Sequence, residues 1–291
     1  MKAIVVIKEA KLDVLQQDNP DGLEHLRQTD ERAWRQMVAS EQVQRASRDE
    51  VQRALDTAGL ESIFVAREAF EGPGDADLVI CVGGDGTVLD VSHQVLDVPV
   101  LAVNGDPERS VGYFCATDAF GLGRVLNEWL AGEASMSTLH RMVIDLDGER
   151  LPFACMNDIL VANRNPAMMS RYVLTAGRRE EQQASSGVWI STPAGSTAGI
   201  RSAGGTVMPL EGALVQYLVR EPFLGRARRY ELLRGVRHLR EGLRIRSLMD
   251  NGALYVDGPW NVVPFEIGSE LTLSEGPPIR IVGMDPLLRE R

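Results

Sequence analysis

"LVICVGGDGTVLDVSHQVL", residues 78–96, decides the fold. Leu78 to Val82 is an apolar, β-branched run of the kind found in strands buried on both faces. Gly83 to Thr87 supplies a turn of small residues, and Val88 to Leu96 starts a helix. A buried strand that passes through a glycine-rich turn into a helix is the building unit of open α/β sheets, which bind ligands at that end of the strand. One residue is unexpected. Main-chain N–H groups in such a turn favour phosphate, and the Asp85 carboxylate repels it. The turn has neither the Gly-Lys-Ser/Thr of a Walker loop nor the dinucleotide pattern G-x-G-x-x-G. On local physics two readings stand level: Asp85 caps the helix, or it performs chemistry or holds a metal. The flanking Gly83, Gly84 and Gly86, which a cap does not need, tilt the reading toward chemistry.

The surrounding chain agrees with an α/β start. Ala3 to Ile7, Ile63 to Ala66 and Val98 to Val103 are further strand candidates. Trp34, Met37, Val38, Val51 and Leu55 fall at roughly helical spacings, predicting one or two amphipathic helices that end at Gly59. Alternating strands and helices predict an open, mostly parallel sheet over about the first 115 residues. "CATDAFGLGRVLNEWLAGEA" reads as one more helix. From about Ser137 the pattern changes to short alternating runs with turn signals between them, Asp147-Gly148 being a hairpin candidate. The second half is therefore expected to be mainly β, in the manner of a sandwich.

Composition narrows the function. A chain of 291 residues is long enough for two domains with buried cores. Its formal charge of −10 argues against a general nucleic-acid or membrane-surface binder. Its apolar runs fall short of the roughly 20 residues that span a bilayer, and the start "MKAIVVIKEAKLDVL" reads as a strand rather than a signal peptide. A cytoplasmic location is expected. The Arg-rich stretch "GRARRYELLRGVRHLREGLRIR" reads as strand or turn structure with arginines on the wet face. Cys81, Cys115 and Cys155 lack metal-ligand spacing and are odd in number, which suits a reducing compartment. None of the four histidines pairs with a cysteine or another histidine at ligand spacing, so a zinc site is not expected.

Two further tracts are unusual. "SSGVWISTPAGSTAGIRSAGG", residues 185–205, is rich in small residues and hydroxyls. It would let a flat ring lie against the backbone, with Thr197 and Ser202 offering hydrogen bonds. A plain surface loop of that length would be unusual. In "MNDIL", residues 156–160, Asn157 and Asp158 interrupt apolar neighbours. They form either a β-turn or a bracket for a ribose diol.

Taken together and in order, Gly83 to Thr87, Asn157-Asp158 and Ser191 to Gly205 resemble the NAD kinase family. The glycine loop alone is shared with diacylglycerol and sphingosine lipid kinases. "VNGDPERSVGYFC" at 103–115, "VVIKEAKLD" and Ser185-Ser186-Gly187 resemble the animal mitochondrial-type branch, and with no transit peptide in view the chain is expected to be a bacterial relative or a mature form. The resemblance implies an α/β domain over 1–120, with the tail from about 278 to 291 packing back on it. It also implies a β-rich, NAD-binding domain over 121–277, with the site in the cleft between the two. The implied reaction moves the γ-phosphoryl group of ATP to the adenosine 2′-hydroxyl of NAD, with a divalent metal, Mg²⁺ by analogy, and a homodimeric or homotetrameric enzyme. Asp85 would be the catalytic carboxylate, as base, orienter or metal ligand. Gly83, Gly84, Gly86, Thr87 and Arg109 would line the ATP phosphates, although Arg109 equally suits an ion pair with Glu108 or Asp106. Asn157, Asp158, Ser186, Thr197, Ala198 and Ser202 would meet the dinucleotide. Three positions depart from the family's pattern: Asp158 for Glu, Gly199 for a Tyr whose ring would stack on adenine, and Ser186 for an Asp near the nicotinamide. They leave open NAD versus NADH preference, as the sequence leaves open ATP versus polyphosphate. The rival readings are a lipid kinase with the same loop and a non-catalytic NAD(P) sensor.

Overall fold

The computed structural model describes residues 1–225 and 229–284. The chain divides into two compact units, Met1–Ser137 with the strand from Arg280 onward, and Thr138–Ile279. Of the expected packed-back tail, residues 285–291 lie outside the described residues, as do Arg226 to Arg228 of the Arg-rich stretch. No described helix is long and apolar enough to cross a membrane.

The first unit is built on a seven-stranded sheet. Its strands run in the order Glu61–Ala66, Lys2–Ile7, Leu78–Gly83, Val100–Asn104, Ile279–Val282 and Met136–Leu139, with Thr117–Asp118 beside Val100–Asn104. The first four are parallel neighbours. The first strand of the chain lies between the second and third, so the winding direction reverses between Lys2–Ile7 and Leu78–Gly83. A reversal of this kind opens a crevice at the carboxyl ends of the two strands.

Where one or two helices are expected after the first strand, three form: Lys11–Asp18, Pro20–Thr29 and Glu31–Ala58. The breaks are local chemistry. Asn19 accepts from the Gly22 N–H with Pro20 at the first helical position, and Asp30 accepts from the Ala33 N–H, each a new N-cap. The third helix stops at Gly59, left-handed at φ 66°. Val51 and Leu55 on that helix share one core with Val5, Ile80 and Leu101 of the sheet. Leu122 and Leu126, on the helix Leu122–Leu130, join the same core.

The second unit is a pair of six-stranded antiparallel sheets around one core. One orders Arg179–Ser185, Ser170–Ala176, Leu243–Ser247, Glu270–Glu275, Met142–Leu146 and Glu149–Cys155. The other orders Arg234–His238, Leu214–Val219, Val188–Ser191, Asp158–Asn163, Gly252–Val256 and Asn261–Pro264. Asp147 and Gly148 turn the hairpin between Leu146 and Glu149, with φ of 53° and 85°. Positive φ at both turn residues matches the twist of the flanking strands. In the strand Leu243–Ser247 burial alternates, with Arg244 and Arg246 exposed, so these arginines do occupy a wet face.

Leu55 is fully buried between the long helix and the sheet. Leu55→Ala is expected to cost about 2–5 kcal/mol in denaturant unfolding without changing the fold.

Candidate functional site

In the first unit the expected turn is already helical: the strand Leu78–Gly83 is followed by a helix, Asp85–Ser92, whose N-cap is Gly84. This overturns the reading of Asp85 as a cap. Asp85 is the first helical residue, no side chain among the described residues caps the helix, and the Asp85 Oδ1 instead accepts from the main-chain N–H of Phe114 at 2.9 Å. Among the described residues Oδ2 has no hydrogen-bond partner, and the side chain is half-buried. The glycines differ in purpose. A Cβ on Gly83 would fall 2.4 Å from Thr87 Oγ1 and one on Gly84 2.5 Å from Ser110 Oγ, whereas Gly86 faces open space. Thr87 is buried, and its hydroxyl finds no partner among the described residues.

The segment after Asn104 folds over this turn as a self-bonded loop. Asn104 accepts from the Asp106 N–H and donates to Ser110 O. Asp106 is buried, accepts from Ser40 Oγ at 2.6 Å and holds Arg109 at 3.1 Å, with Glu108 a longer 3.8 Å away. Arg109 is thus engaged by Asp106, the ion pair weighed from sequence. A cavity of about 160 Å³ lies at the crevice between the two central strands, lined by Lys8, Gly83, Gly84, Asp106, Arg109 and Ser110 among others.

In the second unit, two tracts separated by some thirty residues meet. Thr192 N–H donates to Asn157 O at 2.9 Å, Ser191 Oγ donates to the same oxygen, and Thr192 Oγ1 donates to Met156 O. A Cβ on Gly195 would stand 2.2 Å from Asn157 O, so the close approach requires glycine there. Asn157 and Asp158 are not the middle of a free β-turn: Asp158 begins the strand Asp158–Asn163, paired to Ser191. Thr197 and Ala198 are half-buried just beyond, and Ser202 is exposed at the end of the short helix Gly199–Ser202. Ser186 sits apart. It lies beyond the other end of the strand Val188–Ser191, half-buried, with its N–H on Arg220 O.

Two residues escaped the sequence reading. Asp257 accepts at once from the N–H groups of Met156 (2.8 Å), Asn157 (2.6 Å) and Asp158 (3.1 Å), with the Cys155 thiol at 3.2 Å. Its sequence signal was Asp257-Gly258, a turn dipeptide like many others. Trp189 is the second: a Cβ on Gly199 would fall 3.1 Å from its ring. The indole therefore fills the space that a larger residue 199 would need, which gives a steric reason for the glycine. Arg220 lies over the same indole at 6.0 Å.

Burial first, and the neighbouring Asp257 charge second, push the Asp158 carboxyl up to about 7. Oδ1 of the adjacent Asn157 is buried without a hydrogen-bond partner among the described residues. The pair thus offers an unsatisfied acceptor and a carboxyl that takes up or releases a proton near neutrality.

Comparison with known proteins is in accord with these tracts. The family described as the ATP-NAD kinase N-terminal domain matches residues 13–117. A probable NADH kinase of Oryza sativa subsp. japonica is 34% identical over 260 residues, covering 81% of this chain and 80% of that protein. The chain belongs to the NAD kinase family. An NADH kinase of Arabidopsis thaliana is 33% identical, covering 70% of this chain and 72% of that protein. An NAD kinase of Methanoregula boonei is 31% identical, covering 68% and 70%. Among solved structures, the NAD kinase of Archaeoglobus fulgidus in complex with ATP superposes with a TM-score of 0.68 at 19% identity, covering 97% of this chain and 93% of the other. Yeast NADH kinase complexed with NADH gives 0.67 at 16%, covering 99% and 86%. At such identities the likeness of structures speaks for the fold.

Two outcomes follow from the second unit's geometry. Gly195→Ala should lose about 1–3 kcal/mol of stability in urea melts, because the added methyl group meets main chain rather than a movable side chain. For Asp158, the folded protein retains a proton that the unfolded chain releases above the ordinary value of 3.8. Stability should therefore fall as pH rises from about 4 to about 7, by about 1.4 kcal/mol for each pH unit across that window. Asp158→Asn should remove this contribution, which unfolding curves at pH 5, 6, 7 and 8 would show.

Proposed function

We propose that this protein transfers the γ-phosphoryl group of ATP to the adenosine 2′-hydroxyl of NAD or NADH, forming NADP or NADPH. The observation that carries the reading is Asp85: one oxygen fixed by the Phe114 N–H, the other without a partner among the described residues, in a turn kept bare by Gly83, Gly84 and Gly86. A ribose hydroxyl is a weak nucleophile at neutral pH, and a carboxylate so placed accepts its proton as attack proceeds or aims its lone pair at phosphorus. Membership of the NAD kinase family supports this chemistry over that of lipid kinases sharing the loop.

Gly83, Gly84, Gly86 and Thr87 form the phosphate path, with Arg109, ion-paired to Asp106, beside it. Asn157 and Asp158 meet the dinucleotide's ribose and adenine end, Thr197, Ala198 and Ser202 the nucleotide, and Ser186 the nicotinamide. Ser186 carries no charge, so the reading admits the reduced acceptor as well as the oxidised one. A divalent cation, Mg²⁺ in this reading, fits a site poor in ligands. Among the described residues no three His, Cys, Asp or Glu side chains gather in one place, and Mg²⁺ is commonly held by one carboxylate, here Asp85, together with substrate phosphates. When bound it neutralises charge on the transferred group. A cytoplasmic homodimer or homotetramer completes the proposal.

A coupled assay for NADP and NADPH, with ATP and polyphosphate as donors, tests it. Asp85→Asn keeps an oxygen for the Phe114 N–H, so its melting curve should match the parent. Its turnover should fall at least roughly a hundredfold. Near-normal turnover would remove Asp85 from the catalytic role.

A further inference from the structure

The long helix Glu31–Ala58 turns one stripe of side chains toward the rest of its unit, and that stripe changes character along its length. Val51 and Leu55 enter the core beside the sheet. Followed toward the N-terminus at the same three- and four-residue steps, the stripe carries Ser47, Gln44 and Ser40. Ser47 is as buried as a core residue, at 4% exposure, and Ser40 is half-buried. A buried hydroxyl at a position that helix periodicity assigns to packing calls for a hydrogen-bond partner.

The two serines find theirs on consecutive residues of the loop that leads to Asp85. Ser47 Oγ donates to Gly105 O at 2.9 Å, and Ser40 Oγ donates to Asp106 Oδ2 at 2.6 Å. The Gln44 amide donates to Ser40 Oγ at 3.1 Å, which leaves the serine's own proton for Asp106. Gly105 is also pinned to the glycine turn. Its N–H donates to Gly83 O at 3.1 Å, and a Cβ on it would lie 3.5 Å from the Gly83 Cα. From Asp106 the restraint passes along the loop. The Asp106 carbonyl accepts from the Ser110 N–H at 2.8 Å, and Ser110 O accepts from Asn104. Gly112, left-handed at φ 60°, turns so near Asn104 that a Cβ would stand 2.4 Å from its side-chain nitrogen. Two residues later Phe114 gives its N–H to Asp85.

We propose that Ser47 and Ser40 are positioning residues for Asp85, acting through Gly105, Asp106 and the Phe114 N–H. The proposal rests on the reading of Asp85 as the catalytic carboxylate. That carboxylate has one hydrogen-bond partner among the described residues, so a shift of Phe114 turns or releases it. The serines are the helix's grip on the start of the loop. Without them Gly105 is left with its bond to Gly83, and Asp106 with bonds inside the loop. A small displacement of a reacting group lowers turnover more than it changes substrate affinity.

Amide hydrogen exchange and steady-state kinetics on the intact protein, with a double-mutant cycle, test the linkage. In Ser47→Ala the Phe114 amide should exchange about tenfold faster and kcat should fall about tenfold, with KM for NAD within about twofold. Ser40→Ala, at the half-buried position, should act in the same direction, and it carries the test should Ser47→Ala fail to fold. Ser40→Thr keeps the hydroxyl and should match the parent. Leu55→Ala destabilises the same helix through its apolar face and should leave kcat of the folded protein within about twofold. The deciding comparison is in the Asp85→Asn background, where Ser47→Ala should lower turnover no further. An unchanged Phe114 exchange rate, a tenfold loss that persists in Asp85→Asn, or an equal loss in Leu55→Ala overturns the proposal. Normal turnover of Asp85→Asn would remove the catalytic reading instead, and the serines' grip would then stand or fall on Phe114 exchange alone.

Discussion

A single carboxylate organises the second unit around its most unusual sequence. Asp257 takes three successive main-chain N–H groups, at Met156, Asn157 and Asp158, and so fixes the corner from which the strand Asp158–Asn163 departs. Hydrogen bonds to a charged acceptor are among the stronger ones, and here they satisfy donors that the strand ladder cannot reach. With the corner fixed, Asn157 O is held where Thr192 and Ser191 can donate to it and where Gly195 can pass within contact distance. The electrostatic consequence falls on Asp158, which cannot ionise at its usual pH in a buried position beside a second carboxylate.

The first unit uses the same device in a different way. Asp85 also anchors a distant loop through a main-chain N–H, that of Phe114, but spends only one oxygen on it. Asp257 is consumed by its bonds and acts as structure; Asp85 is half consumed, its second oxygen without a hydrogen-bond partner among the described residues. That difference in saturation, rather than residue type, separates a positioning carboxylate from a candidate catalytic one. The cations divide similarly. Arg109 and Arg45 are ion-paired to Asp106 and to Asp13 and Glu41, while Lys8 at the crevice has no carboxylate partner among the described residues.

Much of this is legible in the sequence. β-branched runs marked the parallel strands, because burial on both faces demands them. Asp147-Gly148 marked its hairpin, because few dipeptides tolerate two positive φ angles. Gly83 to Thr87 has the composition of a turn, yet the helix begins at Asp85, since glycine carries no local mark separating a turn from a first helical residue. The break of the polar segment into three helices was written in Asn19-Pro20 and Asp30, whose capping roles look like ordinary polar composition until the chain is seen to bend there.

By itself the sequence determined the alternation of elements, the switch to β structure near Ser137, and which three tracts resemble those of the family, since these depend on local periodicity and residue type. Tertiary structure alone decided what each tract touches. Asp257 reaches a corner 99 to 101 positions earlier, Trp189 fills the space beside Gly199, and Ser186 lies beyond the end of the strand Val188–Ser191 that is opposite Ser191. Contacts across such separations are set by strand order and register, which no short-range pattern encodes. For Asp85 the outcome is sharper still: whether its carboxylate would cap a helix or remain open depended on where the Phe114 N–H came to rest, 29 positions along the chain.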